Sequence, residues 1–321
     1  MDNNRCCRYQ GYFSAHARVL TKIVGTGNRE STYFTFNDPI TGTERTESFL
    51  DFLSAYEQMG TDNTSKELLL PIVHFRDSIY IYSEDYSKIS AWPNLDTKAV
   101  LTRIKELRND ANLFNQGNIG LCTAASFFHH VIQKEPDEFE LFAKHLLKYG
   151  TGYLGKFKVE AGSDLRRADY NGLNTKYKGE MPPQADWMLI SSLRDTENWI
   201  LDYEGGPDED KAIRTDGKEL SEWYEKTGFY NNVIYSEETT EIRTINKTQI
   251  NHIALLIRAS LFPGYERKSG HVITLESSIT IDETNNKVNF DYWTWGFPIQ
   301  TLNTTLTTFQ DNYLGVIIAT F

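Results

Sequence analysis

The residues of this chain best suited to chemistry lie in one short run, residues 115–122 (Asn-Gln-Gly-Asn-Ile-Gly-Leu-Cys). The run ends on Cys122, and an apolar segment compatible with a helix follows it directly. A cysteine in the first turn of a helix lies at the positive end of the helix dipole, which favours the thiolate form. Gln116 could direct an amide N–H toward the same point. A thiolate beside an amide donor is the arrangement that acyl chemistry requires.

A glutamine at this distance before a cysteine, with two glycines between them, resembles the active-site segment of papain-like cysteine peptidases. The resemblance implies that Cys122 is the nucleophile and that Gln116 and the backbone N–H of Cys122 form the oxyanion hole. The papain family usually has a disulfide-bonded cysteine where this chain has Asn118, and a tryptophan where it has Thr123. The pattern is therefore closer to the wider papain-like clan, including bacteriocin-peptidase-like and bacterial effector proteases. The alternative is a buried structural cysteine after a glycine-containing loop.

A cysteine nucleophile needs a histidine base, which family precedent puts roughly 130–150 residues downstream. His271 falls in that window, follows a glycine, and opens a run of β-branched residues that predicts a strand. His129 and His130 are about 10–12 Å along the predicted helix from Cys122, too far for proton transfer. His252 is the other candidate base. It has no glycine or acidic residue nearby, which favours a packed or surface histidine on a helix.

A partner for the imidazole is expected in residues 288–296 (Val-Asn-Phe-Asp-Tyr-Trp-Thr-Trp-Gly). In papain-like and bacteriocin-peptidase-like enzymes an Asp or Asn holds the histidine in its working tautomer, and a following aromatic shields the pair from water. The resemblance implies a triad of Cys122, His271 and Asp291, in which His271 acts first as base and then as acid. Asn289 faces the same side of the predicted strand as Asp291 and stays open as the alternative.

The part of the chain before the nucleophile predicts a separate region. Residues 1–95 have the patterns of strands and turns, with a hairpin starting at 31–36, a short helix at 49–56 and a strand at 79–82. We expect a β-rich accessory or regulatory region. An inhibitory pro-region is the alternative.

The remaining residues, 96–321, predict the catalytic domain. Helical patterns occupy about 97–230, and strand patterns occupy about 231–321. Together with the resemblance, they predict an α+β protein with the papain-like two-lobed cysteine peptidase fold, preceded by the N-terminal β-rich accessory region. The site would lie in the cleft between the lobes.

The composition of the chain limits the kinds of partner that we expect. The net charge of −11 and the absence of a Lys/Arg block argue against nucleic acid. No stretch approaches the roughly eighteen apolar residues of a membrane span, and the start of the chain has no hydrophobic signal region. We expect a cytoplasmic protein, or one secreted without a cleavable signal peptide. Adjacent Cys6 and Cys7 give no disulfide framework with Cys122, and we expect neither a metal nor a cofactor, because zinc spacings and phosphate-binding glycine loops are lacking.

These features predict a cysteine peptidase that acts on a protein or peptide substrate through a thioester acyl-enzyme, as a bacterial effector or toxin. A transglutaminase-like enzyme or an acyltransferase is the alternative, because it uses the same triad with an amine in place of water. A second alternative is a non-catalytic binding protein on a papain-like scaffold.

Overall fold

The chain divides into two compact units. The computed structural model describes residues 90–197, 217–237, 242–262 and 270–321, and the backbone of four strands between residues 6 and 48. The units are Met1–Lys88 and Ile89–Phe321. The sequence predicted a boundary after residue 95. It lies earlier because Trp92 and Leu95 already belong to the hydrophobic core of the second unit.

The first unit contains a four-stranded antiparallel sheet in the order β1-β2-β3-β4. Its strands are β1 (Cys6–Gly11), β2 (Ser14–Val24), β3 (Tyr33–Asp38) and β4 (Thr43–Ser48). β3 and β4 form the hairpin that the sequence predicted, with Tyr33 opposite Ser48. The helix predicted at 49–56 and the strand predicted at 79–82 lie outside the described residues.

The first half of the second unit is mainly helical. Its helices are α1 (Thr97–Asn109), α2 (Cys122–Lys134), α3 (Pro136–Tyr149), α4 (Ser163–Arg167), α5 (Tyr170–Lys176), α6 (Gln184–Glu197) and α7 (Gly217–Thr227). A short hairpin of β5 (Thr151–Leu154) and β6 (Phe157–Glu160) follows α3. The two strands are joined by a turn at Gly155, whose φ of +57° suits a tight turn.

Local sequence accounts for the ends of these helices. The carboxylate of Asp96 caps α1 by accepting from the N–H groups of Lys98 and Ala99. Pro136 opens α3, where its missing N–H costs no hydrogen bond. Gly150 ends the same helix in the left-handed conformation, with φ of +74°. The start of α1 and both ends of α3 therefore lie at residues whose types favour those positions.

The second half of the unit is a seven-stranded antiparallel sheet. Its order is β10-β11-β9-β8-β13-β7, with β12 beside β11. The strands are β7 (Asn232–Ser236), β8 (Asn251–Arg258), β9 (Gly270–Leu275), β10 (Thr280–Asp282), β11 (Lys287–Trp293), β12 (Gln300–Thr305) and β13 (Tyr313–Thr320), and α8 (Leu306–Asn312) lies between the last two. β8 carries His252 on a strand, where the sequence predicted a helix. A nearly continuous apolar run suits a central strand that is buried on both faces.

The sheet separates two hydrophobic cores. Alternate residues of β8 face opposite cores: Ala254 joins the helical core, and Ile253 and Leu255 join the core on the other face. α2 and α7 pack on the first face, and α8 belongs to the second core through Leu306 and Phe309. The unit is therefore α+β, with its helices mostly before its strands in sequence. α2 rests directly on β9, so two distant segments of the chain meet at this face.

Candidate active site

Cys122 is the first residue of α2. It is a free and partly exposed cysteine, and Leu121 before it caps the helix without a side-chain hydrogen bond. The first N–H groups of any helix lack partners within the helix, so the sulfur lies among unpaired donors. The hydroxyl of Thr123 and the backbone N–H of Val272 interact with this sulfur and lower the pKa of the thiol. Val272 is on β9, far away in sequence.

Burial has the larger effect on this thiol. Desolvation outweighs the hydrogen-bond donors and raises the pKa of Cys122 above its ordinary value. The sequence had predicted that the helix dipole would favour thiolate, and that prediction is wrong for this structure. Since the charged form loses more in solvation than it gains from the donors, the thiol is neutral at pH 7. A reaction at Cys122 must therefore remove its proton as the sulfur attacks.

The backbone of His271 is brought next to this thiol. The amide that interacts with the sulfur of Cys122 belongs to Val272, and the same peptide bond carries the carbonyl of His271. β8 fixes the position of this segment, with Ile257 opposite His271 and Leu256 opposite Val272. No hydrogen bond joins the sulfur to either imidazole nitrogen in this structure. Val272 belongs to the core on the side of α2, whereas the ring of His271 contacts Phe262 and Trp295, which belong to the other core.

The imidazole of His271 is held in a closed pocket. Its exposed fraction is 5%, its ring stacks on Trp295 with centroids 4.0 Å apart, and Nε2 is 2.6 Å from the hydroxyl oxygen of Thr294. Burial lowers the pKa of His271 to about 3, so the ring is neutral at pH 7 and a weak base. Among the residues that the structure describes, nothing hydrogen-bonds Nδ1. Nδ1 is therefore the nitrogen available to act as a base.

Asp291 does not orient this imidazole. Its carboxylate accepts a hydrogen bond of 2.6 Å from the hydroxyl of Thr301 on β12, and its backbone carbonyl accepts from the N–H of Glu276 at 2.8 Å. Glu276 is five positions beyond His271, about 16 Å at 3.3 Å per residue of extended chain. Asn289 lies farther still, opposite Thr280 on β10 and Asn303 on β12. Neither predicted candidate reaches the ring.

Thr294 occupies the position that the sequence assigned to Asp291. β11 continues to Trp293, which pairs with Thr274 on β9, and Thr294 follows directly, with its hydroxyl oxygen within hydrogen-bond distance of the imidazole. Thr294 is 2% exposed, so its hydroxyl is a buried partner for Nε2. The sequence signal was the stretch Trp-Thr-Trp-Gly, in which a hydroxyl residue precedes the aromatic that covers the histidine. An acid or amide is the usual orienting group, so the sequence pattern pointed to Asp291 and Asn289 instead.

Gln116 lies on the loop that leads to Cys122. Its side chain is 3% exposed, and its amide oxygen has no hydrogen-bond partner in the described part of the chain. Buried polar groups are nearly always paired, and an unpaired one is expected where a ligand completes the bonding. Gly117 follows with φ of +54°, and a Cβ there would lie 2.5 Å from the carbonyl oxygen of Glu180. The loop is therefore pressed against residues 180–182, and only glycine fits.

The loop after Thr294 touches the loop of Gln116 directly. A Cβ added to Gly296, whose φ is +82°, would lie 2.7 Å from Cα of Asn115. Trp295 before it also has a positive φ, of +53°, which is rare for a bulky side chain. This strained turn places the indole over His271 while its backbone passes Asn115. Segments that carry the thiol, the amide and the imidazole therefore converge.

A second buried polar layer lies between α2 and the sheet. His129 and His130 on α2 and His252 on β8 are each no more than 5% exposed. His129 stacks on Trp293 at 4.1 Å, and His130 stacks on His252 at 4.4 Å. Their hydrogen-bond partners are Asn112 (His129 Nε2, 3.2 Å), Tyr224 (His130 Nδ1, 2.6 Å) and Tyr230 (His252 Nδ1, 3.0 Å). These histidines secure the helix that carries Cys122, away from the thiol.

Burial also fixes the charge of this layer. It lowers the pKa of His129 to about 3 and that of His252 to about 2, and it keeps the pKa of His130 well below its ordinary value. The nearby cation Lys247 lowers all three further. All three rings are therefore neutral in the folded protein at pH 7.

Within the described residues, no group of three or more His, Cys, Asp or Glu side chains could hold a metal ion. Nor does any helix in that part of the chain have the length and apolar character to cross a membrane. Comparison of the chain with protein-family models, curated proteins and solved structures found no match. A function for this chain must therefore be inferred from the contacts of its own residues.

Proposed function

We propose that residues 89–321 form a papain-like cysteine peptidase with Cys122 as nucleophile and His271 as general base. The observation that carries the proposal is the contact of the Cys122 sulfur with the peptide bond between His271 and Val272. A thiol at a helix start and a histidine at a strand start, in this chain order, also match the two-lobed plan of that clan. Thr294 takes the orienting role in place of Asp291.

The proposed reaction starts from two neutral groups. As the sulfur of Cys122 attacks the substrate carbonyl, Nδ1 of His271 accepts the thiol proton, and Nε2–H donates to the hydroxyl oxygen of Thr294. The amide of Gln116 and the backbone N–H of Cys122 donate to the oxyanion. The imidazolium then protonates the leaving amine, which leaves a thioester on Cys122. Water, deprotonated by the same imidazole, attacks the thioester and releases the acid.

The test is to incubate the purified protein with a peptide library and to identify products by mass spectrometry. We expect cleavage by the wild type, loss of cleavage in Cys122→Ala, and an acyl adduct at Cys122 after rapid acid quenching. His145→Ala is the matched control, because that histidine lies on α3 and its ring contacts Tyr149 of the same helix. Cleavage that survives Cys122→Ala would refute the proposal.

Acyl transfer to an amine is the second candidate. The observation that favours it is the cover of Trp295 over His271, a buried base, because shielding from water lengthens the life of a thioester. Adding a primary amine to the same reactions separates the two functions. Amide products that exceed the hydrolysed ones would favour transfer. Absence of any covalent adduct at Cys122 would instead favour a non-catalytic binding protein.

A further inference from the structure

We propose that Asp186 and Arg103 are positioning residues that hold the oxyanion-hole loop, a role that rests on the proposed function. Asp186 lies on α6 and Arg103 on α1, and neither belongs to the predicted triad. They form an ion pair next to residues 113–115, the start of the loop that carries Gln116.

Asp186 binds the loop through a charge-assisted hydrogen bond. Its exposed fraction is 0%, and its Oδ1 accepts from the backbone N–H of Asn115 at 2.7 Å. The side-chain oxygen of Asn115 in turn accepts from the N–H of Gly117 at 2.7 Å. Gln116 is therefore bracketed by two short bonds that both depend on Asn115. Bonds to an ionised acceptor are roughly twice as strong as neutral ones.

Arg103 binds both the carboxylate of Asp186 and the backbone of the loop. Its Nε is 2.9 Å from Oδ2 of Asp186, and a terminal nitrogen is 3.1 Å from Oδ1, so the contact is bidentate. The same terminal nitrogen donates to the carbonyl of Leu113. The guanidinium compensates the buried carboxylate and binds the loop backbone two residues before Asn115. A buried ion pair is a costly way to gain stability, and placing a loop is a role that apolar residues could not fill.

The chemical consequence concerns the oxyanion. A donor displaced by about 1 Å loses much of its effect on the transition state, and such displacements cost up to about 100-fold in rate. Gly117, on one side of Gln116, is packed against residues 180–182. Asn115, on the other side, must be fixed as well for the amide of Gln116 to keep its position. Loss of the Asp186 charge should therefore weaken oxyanion stabilisation and leave the thiol and imidazole in place.

Two small thiol reagents test this without knowledge of the substrate. Acrylamide adds the sulfur of Cys122 to its β-carbon, and negative charge develops on the amide oxygen before the α-carbon takes a proton. Iodoacetamide alkylates the same sulfur by displacing iodide, with no such charge. Peptide mapping measures each rate at Cys122 separately from the rates at Cys6 and Cys7. The ratio of the acrylamide rate to the iodoacetamide rate at Cys122 therefore reports the effect of the oxyanion donors.

We expect Asp186→Asn to lower this ratio about tenfold, and Gln116→Ala to lower it to a similar extent. In the double variant the ratio should fall no further than in Gln116→Ala, because Asp186 acts through Gln116. Arg103→Lys, which keeps the charge and loses the planar fork, should give an intermediate ratio. Glu219→Gln is the control, since it removes a partner of Arg194 on the same helix α6 without touching the loop.

The outcomes separate the inference from the peptidase proposal. An unchanged ratio in Asp186→Asn, or additive losses in the double variant, would overturn the positioning role. No effect of Gln116→Ala on the ratio would overturn it too. If the wild type cleaves no peptide but Asp186→Asn and Gln116→Ala lower the ratio non-additively, the peptidase proposal is refuted and the positioning role is supported.

Discussion

Mild acid should unfold the second unit, because its folded state buries neutral histidines. Burial lowers the pKa of His129 and His271 to about 3 and that of His252 to about 2, against about 6.5 in an unfolded chain. Since each folded-state pKa is below the unfolded value, the unfolded chain binds more protons as the pH falls. Stability is therefore complete above about pH 7 and is lost from about pH 6.5 downward, toward the folded-state pKa of each ring.

The loss can be worked out from these values. A histidine that titrates at about 6.5 when unfolded and about 3 when folded loses about 2 kcal/mol of stability between pH 7.5 and pH 5. Three such residues together lose about 6 kcal/mol, against a typical total of about 5–15 kcal/mol. Burial raises the pKa of Glu276 and Asp186, so the folded state takes up protons there first and part of the loss is offset. Burial also holds the pKa of His130 well below its ordinary value, which adds to the loss, so about 6 kcal/mol is the expected order of the loss.

The assay is urea unfolding followed by tryptophan fluorescence at pH 7.5, 6 and 5. We expect the free energy of unfolding to fall by about 2 kcal/mol from pH 7.5 to pH 6 and by about 4 kcal/mol from pH 6 to pH 5. His252→Gln should reduce the difference between pH 7.5 and pH 5 by about 2 kcal/mol. Tyr230→Phe is the control: it removes the hydroxyl that bonds His252 and should lower stability equally at both pH values, by about 1 kcal/mol.

The reasoning would be refuted by a free energy of unfolding that changes by less than about 1 kcal/mol between pH 7.5 and pH 5. It would also fail if His252→Gln left the pH dependence as steep as in the wild type. Either result would mean that the buried rings accept protons without unfolding.

Three further predictions concern the candidate site. Thr294→Val should lower kcat about 10- to 100-fold because Nε2 of His271 loses its acceptor, while Thr294→Ser should keep most activity; equal loss in both variants would argue against the hydroxyl. Gly296→Ala should lower the free energy of unfolding by at least about 2 kcal/mol more than Gly179→Ala in urea titrations, because both have φ of +82° but only Gly296 lacks space for a Cβ. The rate of iodoacetamide alkylation at Cys122 should have a midpoint above the ordinary value of about 8.5, because burial raises the pKa of this thiol; a midpoint below about pH 7 would indicate a preformed thiolate.

Local patterns were sufficient for the elements that carry the site. The helical patterns after residue 97 and after Cys122 predicted helices, and α1 and α2 occupy those positions. These signals act within a few residues, so they can be read from a single chain. His252 is the exception. Its nearly all-apolar segment lacks a period, and the choice of strand over helix came from neighbouring strands on both sides.

The sequence by itself identified Cys122, Gln116 and His271 as chemically suited residues, because residue type and spacing are local properties. Tertiary structure alone decided which hydroxyl or acid meets the imidazole, since that depends on how far β11 extends alongside β9. It also decided the charge of the thiol, because burial and the amide of Val272 come from distant segments. Strand register and desolvation arise only when the chain is packed. Register determines the hydrogen-bond partner of His271, and desolvation keeps the thiol of Cys122 protonated.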